Sequence, residues 1–464
     1  MLRRKAPFII VVSVLILSAI VPALVGGYSA IGRAEEARER GDHSLAAREF
    51  EHAARILFWR RDLYEQAGIS AAQAGQFPEA IRHFERGGGF SEDGWVWYCA
   101  SSIQAAEYSN AVATCQDGIE AYDSPRLYGL LAYAHRSRKE WDAERLALTN
   151  QTRLDPADAF AAYRLSLLLM LTSPEDSLPE LTRASTLNPE VDSAVQTLRS
   201  ALAVSDQESD PSMKKVVIGR AFGLVQEWDL ATTAFEAALE LDGTNAEAWA
   251  WLGEAKQQTG ADGSEELNRA LSLDRESVNV RALRALYWSR QGKYEQMLAE
   301  YLLAAGIEPE NPRWQGGIGD AQAKLGRLVE ALTAYQRAVE LAPAEPEYWR
   351  LLALFCVENG TQAEEIGLPA AQQAYSLAPD DAAVLDALGY AYLSTGRYAS
   401  AEKALKRAIE ASPEYFSAHI HLAMTYLAQG NRTGAFDILV FVRDAPGAGV
   451  YADSAGQLLD KYFP

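Results

Sequence analysis

A chain of 464 residues with 48% hydrophobic content has ample material for a continuous core. Its 43 basic and 63 acidic residues give a formal charge of −20. That balance argues against nucleic-acid binding, where Lys and Arg must neutralise phosphate, and against docking on anionic lipid, while it suits a basic partner.

The chain opens on Met1-Leu2-Arg3-Arg4-Lys5, and residues 8–25 form an apolar run without a charge. Residues 1–7 read as a cytoplasmic basic tail and residues 8–28 as a transmembrane anchor, because about twenty apolar residues span a bilayer as a helix and the basic cluster precedes the run. This reading places the chain in a bacterial cell membrane as a single-pass protein with the remainder outside. The alternative is a cleaved signal peptide, with Ala23-Leu24-Val25 before Gly26 as a weak site. Cleavage would leave a secreted soluble protein.

After residue 28 one motif recurs every 34 residues: Gly389, Gly396 and Ala401 return as Ala423, Gly430 and Ala435. Two helical patterns flank a turn in each unit. The first carries an i, i+3, i+4 stripe such as Trp249, Leu252 and Gly253, and the second shows Ala, a large residue and Ala, as at Ala331, Tyr335 and Ala338. The turn glycines Gly75, Gly260, Gly292, Gly326, Gly360, Gly396 and Gly430 are expected at positive φ. Gly219, Gly253, Gly319 and Gly389, with Ala34, Ala132, Ala353 and Ala423, share a place where a large side chain would hold paired helices apart. The consensus is thin near Trp59 and Ala157, and the unit opening at Ala246 has a second helix that reads two residues short.

Two blocks result, 29–190 and 212–449. Between them, 191–211 combines a lone helix with a polar stretch from Ser205 to Pro211, read either as a kink or as a degenerate repeat with a loop. Residues 450–464, with Tyr451, Leu458, Leu459 and Tyr462, read as a helix capping the last open face.

Trp249, Leu252 and Gly253, and then Leu388, Gly389, Tyr392, Ala401, Leu405 and Pro413, give this chain a pattern that resembles the tetratricopeptide repeat (TPR) proteins. The resemblance covers nearly everything after residue 30, in about twelve units. It implies an all-α solenoid, a right-handed superhelix of helix-turn-helix units, here preceded by one transmembrane helix. It also implies that the first helices line a concave groove.

No motif points to catalysis or to a cofactor. HExxH, paired CxxC, GxSxG and the Walker loop are absent, and Gly87-Gly88-Gly89 lacks the setting of a dinucleotide site. His419 and His421 stand two apart on a helix and cannot clamp one metal ion together. Cys99, Cys115 and Cys356 read as small buried apolar residues, with a Cys99–Cys115 bridge as the alternative. Recognition by surface remains. Groove positions carried over from the TPR register are Ala383, Asp386, Tyr390, Leu393, Ile420, Met424 and Leu427 in the last units, an apolar strip unless the terminal helix covers it. In the middle units they are Glu247, Glu254, Arg313, Asp320, Lys324 and Arg350, a lining for a polar or charged peptide. Trp97 and Trp251 sit nearer the groove, where they would stack on a peptide or sugar if they did not simply pack.

The leading expectation is a non-catalytic, membrane-anchored adaptor that binds a protein or peptide through its exoplasmic solenoid. The rival is an accessory factor of cell-envelope or polysaccharide assembly, binding glycan or an envelope enzyme.

Overall fold

The computed structural model describes the backbone of residues 6–464 and the side chains of residues 21–464. Among the described residues there are 26 α-helices and no strand. The chain divides into two compact units, one ending at Leu241 and the other running Asp242–Pro464.

The single-pass membrane location is corrected. No helix among the described residues is long and apolar enough to cross a membrane. The helix Ala6–Glu39 covers the expected span, but its later part belongs to the first helix pair: Ala30, Ala34 and Ala37 are buried with Ala46, Phe50 and Ala53, and Leu24 packs on the same cluster. A Cβ on Gly27 would stand 2.7 Å from Leu57, so the end of the run packs closely on the first hairpin. Residues 1–5, and the side chains of 6–20, lie outside what the structure describes.

Each repeat closes on two devices. The first is the turn: all seven expected glycines have φ between 59° and 85°. At Gly396 its N–H reaches Leu393 (3.1 Å) and the N–H of Arg397 reaches Tyr392 (2.8 Å), capping the carbonyls left open at the helix end. In three units Ala106, Lys139 and Gln226 adopt the same left-handed backbone.

The second device is a small residue on the first helix facing a large one sixteen positions on. A Cβ added to Gly219 would come within 2.5 Å of Phe235, and one on Gly319 within 2.9 Å of Tyr335; Gly389 faces Leu405 in the same way. Gly68 and Phe84 repeat the pair (2.8 Å) near Trp59, where the consensus reads thin. The short unit departs further than the two residues expected: its second helix, Ser264–Leu273, has 10 residues against 14 in Leu328–Leu341. A Cβ on Gly253 there would stand 2.9 Å from Leu267 and 2.8 Å from the carbonyl of Gly263, a backbone-to-backbone approach that only two glycines permit.

Cys99 and Cys115 occupy this small–large position and are bridged, with Cα atoms 5.4 Å apart and a separation of 16 residues. The reading of both as free apolar side chains is therefore corrected. Cys356 is a free buried thiol whose pKa burial pushes up to about 11.

In the first unit, the short turn Pro189–Val191 leads into the helix Asp192–Gln207, which buries Val195, Leu198 and Leu202. The next helices, Pro211–Leu224 and Trp228–Leu241, reach back past it. Lys215 Nζ donates to the Leu171 carbonyl (2.6 Å), and Trp141 Nε1 to Thr233 Oγ1 (2.9 Å). Buried Arg164 pairs with Glu144 at 2.6 Å and Glu227 at 2.8 Å, joining the same segments. In the second unit the final helix, Val450–Tyr462, buries Ala455 and Leu459 with Ile420, Ala423, Leu439 and Val442.

Candidate partner-binding faces

After Ala246–Gln258 and Val278–Arg290, the first helices of successive pairs in the second unit are Pro312–Lys324, Pro346–Glu358, Ala382–Ser394 and Phe416–Gln429. Their repeat spacing sets side chains about 34 residues apart beside one another, and polar pairs tie neighbours at this offset. Arg290 grips Glu254 (2.6 Å) and His421 Nδ1 meets Asp386 (2.7 Å).

A cleft of about 320 Å³ opens between the helices Pro312–Lys324 and Pro346–Glu358, lined by Asp320, Lys324, Tyr335, Leu351, Leu354 and Glu358. The Tyr335 hydroxyl donates to Asp320. Asp320 and Glu358 are exposed at the rim, but partial desolvation at the cleft raises both pKa values, against the pull of the Tyr335 hydrogen bond on Asp320 and of His421 and then Lys324 on Glu358. Burial also raises the Tyr335 phenol, and the Asp320 carboxylate adds to this. Further along, buried Asp386 accepts from Ser417 Oγ (2.8 Å) and pairs with His421, whose ring stacks on Tyr390 with centroids 4.0 Å apart.

The expected site residues fall into distinct settings. Asp320 and Lys324 share the cleft, and Tyr390 joins the Asp386–His421 group. Arg350 is held by Glu347 at 2.7 Å and 2.9 Å, and Arg313 lies exposed over Trp314. Glu254 is buried, its carboxylate occupied by Arg290 and Gln258 (2.8 Å). Ile420 is buried and Met424 half-buried in the cluster beneath the final helix; Leu393 packs beside Leu385 and Leu422, and Leu427 is half-buried. Glu247 accepts from Asn279 at 2.6 Å, and Ala383 is half-buried. Trp251 is partly buried against the cluster containing Ala250, Leu267 and Leu283, and in the first unit Trp97 is partly buried against the cluster containing Phe84 and Phe90. Sequence reasoning missed Tyr335, Glu358 and His421 as site members. For His421 the signal was its position 35 residues beyond Asp386, one repeat and one residue further on.

Comparison with known proteins finds one matching family model and distant relatives. Residues 264–453 match the family model described as the cilia and flagella-associated protein 70 C-terminal domain. A mouse protein named PEX5-related protein is 24% identical over 322 residues, covering 68% of this chain and 48% of its own length. The chain thus spans about half the length of that curated relative. Among solved structures, yeast Tom70 overlaps with a TM-score of 0.43 at 13% identity, covering 80% of this chain and 96% of that one. The APC/C hetero-tetramer Cut9–Hcn1 overlaps with a TM-score of 0.41 at 15% identity, covering 93% and 95%. Both overlaps are too loose to bear on function. The 34-residue register, the glycine-closed turns and the small–large helix pairs make the chain an all-α, TPR-like repeat protein.

Proposed function

We propose that this protein works as a non-catalytic scaffold whose second unit receives a charged segment of a protein partner along its first-helix face. The observation that carries the reading is the open cleft lined by Asp320, Lys324 and Glu358, with the Asp386–Tyr390–His421 group further along the same first-helix face, while the small–large faces are committed to packing. Lys324 stands among the Asp320 and Glu358 carboxylates, so the cleft offers both signs, which favours a segment carrying both, and Leu351 and Leu354 supply apolar contact between them. The aromatic rings proposed for sugar stacking, Trp97 and Trp251, pack against core clusters and give the glycan alternative no support.

The reading is tested with a photo-crosslinking residue placed at Leu354 or Tyr390, and as control at Arg337 on an exposed second-helix face. Cross-links to a partner are expected at the first two positions and lost when Lys324→Glu is added. Equal cross-linking at Arg337, or none at Leu354 and Tyr390, would defeat it.

A further inference from the structure

In the first unit the helix Asp192–Gln207 stands alone between two helix pairs, Ala159–Thr172 with Pro174–Leu187 and Pro211–Leu224 with Trp228–Leu241. It turns back antiparallel along Pro174–Leu187: Ser185 bonds Asp192, and further on Arg199 Nη2 donates to Thr182 Oγ1 (2.7 Å). One row of its side chains, Val195, Leu198, Leu202 and Ser205, is buried. The next row, Arg199, Ala203 and Asp206, keeps the four-and-three spacing of a helix face and borders open space.

That space is a groove of about 590 Å³ whose other wall is Pro174, Glu175 and Leu178. Its apolar lining includes Leu202, almost covered, and Leu178, which leaves 44% of its surface in solvent. A large apolar side chain left that bare in the wall of a groove gains from being covered. The ends of the groove differ in sign. Asp206 is exposed at one, and the antiparallel register sets exposed Glu175 opposite it. Lys214 also lines the groove, with Glu208 close enough to feel its charge. Arg199 lies two helical turns from Asp206, about 10.5 Å, and its bond goes to a neutral hydroxyl rather than to a carboxylate.

We propose that this groove docks an amphipathic helix of a partner protein. The docked helix lies antiparallel to Asp192–Gln207, as consecutive helices of the stack do. A Lys or Arg on it meets Asp206 and Glu175, an acidic residue seven positions on meets Arg199, and apolar side chains between them cover Leu178 and Leu202. The lone helix thereby gains the paired neighbour that the hairpins on either side already have. Opposite charges at a two-turn spacing select this occupant. A uniformly basic segment is drawn by the net charge of −20 but meets Arg199 with its own sign, and a uniformly acidic one meets Asp206 and Glu175 in the same way. The proposal goes beyond the cleft of the second unit and does not depend on it.

The test uses the full chain and stapled fluorescent helices with the core Lys-Ala-Ala-Leu-Leu-Ala-Ala-Glu, read by anisotropy. This core carries no net charge, so bulk attraction to the acidic chain does not explain its binding. It is expected to bind at least about tenfold more tightly than versions with both leucines as Ser, or with both charged positions as Lys or as Glu. Leu178→Ser is expected to weaken binding about tenfold, as are Arg199→Glu and Asp206→Arg, while Lys324→Glu in the second unit leaves it unchanged. The double variant Arg199→Glu with Asp206→Arg is expected to regain affinity only for the helix with Lys and Glu exchanged, a rescue that an unfolded chain cannot give. Equal binding of the serine version, equal binding of the all-lysine version, wild-type affinity in Leu178→Ser, or no rescue in a double variant that circular dichroism shows folded overturns the proposal. So does concentration-dependent self-association that Leu178→Ser abolishes, which assigns the groove to a second copy of this chain.

Discussion

At Asp320 a single carboxyl links cleft and stability. Partial desolvation at the cleft raises the pKa of this exposed carboxyl more than the Tyr335 hydrogen bond lowers it. Between the ordinary aspartate value and that raised value, the folded chain holds a proton that the unfolded chain has lost. This contribution to stability therefore falls as pH rises across the window. Asp320→Asn keeps an acceptor for Tyr335 but removes the titration. Urea midpoints measured from about pH 4 to pH 7 are expected to flatten in this variant; slopes identical to wild type would refute the assignment. Ala106 offers a second residue-scale prediction, because its φ of 59° is left-handed and costs a non-glycine residue roughly 1–2 kcal/mol. Ala106→Gly is expected to raise stability by about 0.5–1 kcal/mol in chemical denaturation, after the added entropy of glycine in the unfolded chain is deducted. The turn glycines were legible in the sequence because their backbone demand is local. Tyr335 and Glu358 were not, because they join the cleft only through packing between helices.

Among elements, the sixteen-residue offset between a small and a large side chain sets how each hairpin closes. Gly389→Leu is expected to cost roughly 1–3 kcal/mol by overpacking, since even a methyl group there would collide with Leu405. Gly263→Ala should cost at least as much, because its Cβ would meet the Gly253 backbone, which has no side chain to swing aside. Thermal melts of both variants check this, and an unchanged midpoint in either would contradict the pairing. The period and the shortened hairpin after Ala246 could be read from spacing alone. The Cys99–Cys115 bridge could have been read too, for its separation of 16 is the offset that joins Gly219 to Phe235. Cysteine count alone gave no such pointer. The apolar run at the start misled for a related reason: composition describes what a helix would tolerate, not that Leu24 and Gly27 at its end pack on the first hairpin.

On the scale of the whole molecule, stability in a stack of hairpins is close to a sum of units and nearest-neighbour interfaces. Removing residues 450–464 takes away Ala455 and Leu459 and uncovers Leu439, Val442 and Ile420. A loss of roughly 2–4 kcal/mol is expected from the apolar area exposed, seen as a lower melting midpoint and increased binding of a hydrophobic dye. An unaltered melt would mean that the helix adds nothing to the core. The Cys99–Cys115 link bears on the same additivity. A crosslink closing a loop of about fifteen residues restrains the unfolded chain by about 3 kcal/mol, and this one lies inside a single hairpin, Glu92–Ala121. A reductant would therefore soften that hairpin and its immediate neighbours while leaving distant ones as firm as before. Amide exchange after thiol treatment should quicken there first, so the electron supply of the surroundings acts as a local dial on rigidity.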